Sequence, residues 1–288
     1  MKLTLFALLL LLSIHSFSQK DDEYHLNKEY EIAPKAIIKL KISDAKVSIL
    51  GSKRTTAHVK IDRIVTTKGI VFGHHEFSID VKQENGNLDL SEHSNSVSGV
   101  IGFSSEKYTV NLELPEDASL IVKGDDGDYL IQNIAGSILM RLDDAHVELT
   151  GCQGEKFEFY MNDGDIKMDQ GKGKLEITGD DTDVHIRNAA FTGLRADIND
   201  GDMTIETSID DQGNYSIRAN DGLVSFTVLN GGGTFDIHHE DGHVTTEGSF
   251  NVVEKTDQEM RLTLAHGKAN VNIRSDDARV RLIATPFP

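Results

Sequence analysis

Apolar residues recur along this chain in pairs two apart, and the pairs return about every twenty residues, each time beside an acidic corner. YMNDGDIKMD, RADINDGDMTIET and RANDGLVSFT are three copies. With the second polar residue of the corner as position zero, the zeros are Asp126, Asp144, Asp163, Asp181, Asp200, Asp221 and Asp241. Phe157 and Phe159 show the pattern six and four residues before a zero, and Ile166 and Met168 three and five after it. Thr246 is the exception at plus five. A spacing of two is the strand period. The step from minus four to plus three is odd, which in one straight strand would flip the apolar set to the opposite face. The chain must therefore bend at each corner, so that both strands face one core.

Asn-Gly, Asp-Gly and Asp-Ala at the corners tolerate positive φ, and a second turn, as in GCQGEK or DQGKGK, closes each unit. No amphipathic helix follows Ser18. The pattern predicts an all-β fold, a β-solenoid of about 20-residue two-strand coils in which like positions stack at roughly 4.8 Å. An antiparallel meander or prism, with each corner a hairpin turn, is the alternative. Weaker copies of the corner lie at Asp44 and Asn85 before the series, and at His266 and Asp277 after it.

Residues 1–18 read as a signal peptide: Lys2 precedes the apolar run LTLFALLLLLSI, and SFSQ supplies a small-x-small cleavage site after Ser18. The run is too short for a comfortable membrane span, and no transmembrane segment is expected after cleavage. Residues 19–288 are expected to form one exported β-repeat domain, with a less regular part over 19–115 and regular coils over 116–288. Within the irregular part, Ser91 to Lys107 is a Ser/Gly-rich stretch that reads as a loop.

The net charge of −18 disfavours binding to nucleic-acid phosphates and to anionic membrane surfaces. The lone cysteine, Cys152, excludes an intrachain disulfide and reads as a small residue in the turn GCQG.

The string KYTVNLELPEDASLIVKGDDGDYLIQNIAGSI, followed by NDGDI-type units, resembles the bacterial putative-adhesin family of exported β-strand repeat domains. The resemblance covers roughly Ile37 to Ile283. It implies a solenoid or prism-like fold at the cell surface or in the periplasm, and brings no catalytic residues.

In a stack, Asp126, Asp144, Asp163, Asp181, Asp200, Asp221 and Asp241 become a column of carboxylates about 4.8 Å apart, repelling by roughly 0.9 kcal/mol per pair in water. Calcium is one way to offset this. Asx-turns, in which each carboxylate bonds its own turn amides, are the other. The GGxGxD spacing of calcium-binding β-rolls is absent. Histidines cluster in IHHEDGH and FGHHEF, but neighbours on a strand face opposite sides, and His239 is expected to line the core. Cleavage of polysaccharides would need two carboxylates in a walled groove, which coils this short leave little chain to build. No GxSxG, HExxH, phosphate-loop or CxxC motif occurs. The expected function is a non-enzymatic scaffold or adhesin without a cofactor beyond calcium, which contacts a protein or polysaccharide at the cell surface through its sheet faces and the 91–107 segment. A polysaccharide-processing enzyme and a purely structural module are the alternatives.

Overall fold

The computed structural model describes residues 20–265 and 267–285. The expected leader, residues 1–18, and the weak copy at His266 lie outside them. All nineteen strands among the described residues belong to one continuous hydrogen-bonded sheet, wound into coils. The predicted β-solenoid is what forms.

Each regular coil is an incoming strand, a corner and an outgoing strand, stacked in parallel on the coil before. Asp126 pairs with Asp144, Asp144 with Asp163, and Asp163 with Asp181. The apolar positions follow the predicted rule. Phe157, Phe159, Ile166 and Met168 in one coil, and Leu175, Ile177, Val184 and Ile186 in the next, are all buried. Each such side chain contributes roughly 1.5–3 kcal/mol by leaving water. Thr246, the polar exception, is exposed on the last outgoing strand, Val244–Glu247.

The corners turn in two ways. Gly127, Gly164, Gly201 and Gly222, at plus one, have positive φ, whereas Ala145 and Thr182 occupy the same position outside that region. Positive φ at plus one is thus confined to glycine copies and is not universal among them, since Gly242, beside Asp241, lies outside that region. At Gly164 the requirement is steric as well, since a Cβ there would lie 2.1 Å from the Ala145 carbonyl oxygen of the coil beneath. The second turn is more regular: Asn133, Gly151, Gln170 and Asn188, all at plus seven, are left-handed.

Coil order departs from chain order at both ends. Ala269–Ser275 lies between Asn214–Ala219 and Gly233–His239, and Arg279–Ala284 lies between Leu223–Asn230 and Val244–Glu247. Asp277 therefore stands between Asp221 and Asp241 in the column. At the other end, Ile37–Lys41 and Ala45–Ser52 lie between the long strand Asn87–Pro115 and the coil Ser119–Gln132. Asp44 thus sits next to Asp126, and its amide donates to the Asp126 carbonyl. Antiparallel strands close both ends: Glu259–Leu264 with Asn251–Lys255 at one, and Lys20–Glu31 with Thr56–Glu84 at the other.

Two expectations are corrected here. Asn85 is not a corner: Asn85 and Gly86, with φ of 52° and 77°, form the two-residue turn of a hairpin joining Thr56–Glu84 to Asn87–Pro115. Asn-Gly is the strongest short hairpin signal because both residues accept positive φ. The stretch 91–107 is not a loop either. It runs inside the strand Asn87–Pro115, paired residue for residue with its partner from Glu84↔Asn87 to His58↔Glu113.

Candidate functional site: the acidic corners, a polar groove and a projecting ribbon

The corner aspartates are exposed, one per coil. Two of them cap their own turns, as Asp163 and Asp221 accept hydrogen bonds from the Gly164 and Gly222 amides at 2.7 and 2.6 Å. Contact between coils is made by their neighbours at minus one: Asp125, Asp143, Asn162, Asp180, Asn199 and Asn220. Asn162 donates its amide to Asp143 at 2.5 Å, Asn199 to Asp180 at 2.6 Å, and Asn220 to the Asn199 side-chain oxygen at 3.0 Å. Neutral amides interleaved with carboxylates replace repulsion with charge-assisted hydrogen bonds. The plus-two column does similar work. Asp183 accepts from the Asp202 amide and Asp202 from the Leu223 amide, at 2.8 and 2.9 Å. Asp165 is hydrogen-bonded to His146 and lies 2.9 Å from Lys167. Its burial alone would raise the carboxyl, but those two partners hold it below the ordinary value.

Among the described residues, no three histidine, cysteine or acidic side chains gather as a metal-holding group. Asp126, Asp144, Asp163, Asp181, Asp200, Asp221 and Asp241 are stacked in one column but do not converge. His238 is exposed beside Glu259, His239 is half-buried and His243 is exposed. Cys152 is fully buried, and that burial raises its thiol above the ordinary value.

An open groove of ≈ 730 Å³ runs across the coils from Gly124 to Asn199. The minus-one ladder forms one wall. The other carries Arg141, whose guanidinium lies 4.2 Å above the Tyr160 ring, followed by Thr178. Leu142 and Met161 floor two coils, while Gly124 and Gly179 floor two others. Beneath these glycines lie the Tyr129 and Thr182 hydroxyls, both buried and without a hydrogen-bond partner. A Cβ at Gly124 or Gly179 would sit 2.3 or 2.5 Å from them.

At the first corner the repeat is interrupted. Asn87–Pro115 pairs with Ile37–Lys41 through residues 88–91 and with Ala45–Ser52 through residues 109–115. The intervening residues leave the stack as a ribbon with the partner strand, three-stranded as far as Thr67, where Lys20–Glu31 pairs alongside, and two-stranded beyond it. Phe77 shows that this ribbon doubles back. Fourteen residues of extended strand from Arg63 would cover about 46 Å, yet Arg63 lies 4.2 Å over the Phe77 ring. Phe77 also packs edge-on against Tyr24 and Tyr108, at 5.2 and 5.4 Å between centroids. Arg63 is buried and bonds Glu106 at 2.5 Å. Glu92 accepts from the Ser43 amide at 3.0 Å and from the Tyr108 hydroxyl at 3.2 Å, and its burial raises its carboxyl. The fold-back puts the apex at the pairs Gly69↔Gly102 and Ile70↔Ile101. Both glycines have φ near +145°, and a Cβ on either would meet a carbonyl oxygen of the opposite strand at 2.1–2.2 Å.

The family model Toastrack DUF4097 matches residues 37–282, the stacked coils together with the ribbon. The chain belongs to this family. No curated protein matches this Toastrack chain. Solved structures with a similar course include a putative cell adhesion protein from Clostridium sporogenes, at 12% identity over 93% of this chain and 100% of that one, with a TM-score of 0.29. A putative adhesin from Bacteroides fragilis shares 12% identity over 92% and 98%, with a TM-score of 0.38. One from Parabacteroides merdae shares 9% over 91% and 96%, with a TM-score of 0.31. Similarity at this level adds nothing to the family assignment.

The sequence places the Toastrack column and, flanking it at minus one, Asp125, Asp143, Asn162, Asp180, Asn199, Asn220 and Glu240, but not the hydrogen bonds between them. Asparagines mixed with aspartates at minus one carry that signal. Sequence reasoning missed the orphan hydroxyls altogether, since the two floor glycines read as ordinary turn residues. Among the described residues, no helix is long and apolar enough to cross a membrane.

Proposed function

We propose that this Toastrack domain is an exported, non-enzymatic scaffold that contacts a polysaccharide at the cell surface. Support for export comes from the leader-like residues 1–18. The observation that carries the contact is the groove between Gly124 and Asn199. It sets planar carboxylate and amide groups about one strand spacing apart, opposite a tyrosine, on a backbone whose own hydrogen bonds are used between coils. Such planar groups pair with vicinal hydroxyls through two hydrogen bonds at once. A bound peptide would seek a free strand edge or apolar side-chain pockets, and this groove is polar and edgeless.

The test is retention of the purified domain on cell-surface polysaccharide from its own organism, compared with Tyr160→Ala and Asn162→Ala. Binding that falls at least tenfold in both variants, with melting lowered by no more than a few degrees, supports the reading. Equal retention of all three proteins, or of none, contradicts it.

A further inference from the structure

The ribbon apex carries a surface that the groove does not explain. Phe103 is 83% exposed and Ile101 67% exposed, the two most exposed large apolar side chains among the described residues. They stand two apart on one strand, and so on one face of the ribbon. The backbone register pairs Gly-Ile-Val-Phe-Gly at 69–73 with the segment Gly-Val-Ile-Gly-Phe at 99–103 and its flank.

Charge marks the same place. Residues 63–75 and 93–105, thirteen on each strand, contain no aspartate or glutamate, although the chain has 47 acidic residues in 288. They contain Lys68, His74, His75 and His93 instead, besides Arg63, which is buried against Glu106. In a chain of net charge −18, the exposed apolar side chains thus sit on a tip whose pairs carry no negative charge, beyond Thr66, where Lys20–Glu31 pairs alongside with Asp21 opposite. Four residues of strand separate Thr66, opposite Asp21, from Ile70 at the apex, so the nearest acidic position along the ribbon lies about 13 Å back. That exceeds the Debye length at physiological salt, about 8 Å. The apex can therefore touch an anionic surface that the acidic body would be repelled from.

We infer that the ribbon apex docks into the interfacial layer of a phospholipid bilayer through Ile101 and Phe103, with Lys68 beside them at headgroup level. An apolar face with a lysine beside it, as Lys68 stands opposite Phe103, fits shallow interfacial binding. A second copy of this chain fits the apex less well. Stable interfaces bury about 800 Å² per partner, more than a two-stranded tip a few residue pairs long presents. The inference rests on the exported location proposed above but not on the polysaccharide groove.

Vesicle flotation tests it, using the mature chain from Gln19 so that the apolar leader cannot contribute. Wild type and the double variant Ile101→Asp, Phe103→Asp are mixed with vesicles of phosphatidylcholine alone or with added phosphatidylglycerol. Wild type is expected to float with both. The double variant should float at least tenfold less while melting at the same temperature. With phosphatidylglycerol present, raising salt from about 10 mM to about 150 mM should strengthen binding, because the Debye length shrinks from about 30 to 8 Å and removes repulsion by the body. Wild type remaining with the soluble protein, or a double variant floating equally well, overturns the inference. So does a wild type that stays soluble as a dimer which the double variant splits, an outcome assigning the apex to self-association. Loss of vesicle binding with polysaccharide retention intact removes this inference alone.

Discussion

Asn162 donates its side-chain amide to the carboxylate of Asp143 in the preceding coil, at 2.5 Å. The acidic edge of this solenoid is thus cross-linked where simple stacking of like charges would push coils apart. Asn162→Asp turns that hydrogen bond into a carboxylate pair, whose repulsion at about 4 Å is of the order of 1 kcal/mol in water. For a chain of this size the melting temperature should fall by about 2–4 °C. The fall should shrink in high salt, and Asn162→Ala should show no such salt dependence. Thermal denaturation at two ionic strengths checks both.

Gly164 and Ala145 hold the same corner position in adjacent coils, but only Gly164 has positive φ. Gly164→Ala must either strain the backbone or press a Cβ into the Ala145 carbonyl 2.1 Å away. A loss of more than about 1 kcal/mol is expected in denaturant titration. Ala145→Gly, which relieves nothing and adds unfolded-state entropy, should cost about 0.5–1 kcal/mol. Equal losses would mean that the two corners share one geometry.

Much of this architecture is legible in the sequence, because corner spacing and apolar pairs at minus six, minus four, plus three and plus five jointly specify strand, bend and core. Phe157, Phe159, Ile166 and Met168 are buried as that rule requires. The rule fails where the chain leaves the repeat. Asn85 matched the period by coincidence, since its distances to Asp44 and Asp126 both approximate two repeats, yet Asn85-Gly86 is a hairpin turn. Ser91 to Lys107 lacks strong alternation because its pairing partner is another irregular strand rather than a buried core. The place of Asp277 between Asp221 and Asp241 is not readable from a linear period at all. It depends on which strand edges are free when the last coil forms.

The first described strand is tied down by a titrating link. Hydrogen bonds with Asp62 at 2.8 Å and Glu23 at 3.2 Å hold the His25 imidazole above its ordinary value. A raised histidine contributes stability that is complete below its unfolded value, about 6.5, and is lost as pH rises through the folded one. Asp62, lowered chiefly by His25, contributes above the ordinary carboxylate range. Hydrogen exchange over Lys20–Glu31, corrected for intrinsic rate, should therefore accelerate as pH rises past neutrality. In His25→Ala that acceleration should vanish, and its persistence would refute the link.

Calcium gives a separate check on the corner column. The corner carboxylates stack in a column, and among the described residues no three acidic or histidine side chains gather at one point, whereas calcium takes six to eight oxygens. Scanning calorimetry in chelator and then in excess calcium should give the same melting temperature. A rise of several degrees with calcium would show that the column binds the ion cooperatively.

Whether chemically matched corners stack in the spatial order described is open to direct measurement by paired cysteines. Neighbouring coils place corner residues about 4.8 Å apart, inside the range a disulfide spans, whereas two coils apart the separation is about 9.6 Å and outside it. Asp221→Cys with Asp277→Cys should oxidise to an intrachain disulfide in the folded protein, and Asp221→Cys with Asp241→Cys should not. Mass spectrometry showing the reverse, a 221–241 bond and no 221–277 bond, would contradict the account at its root.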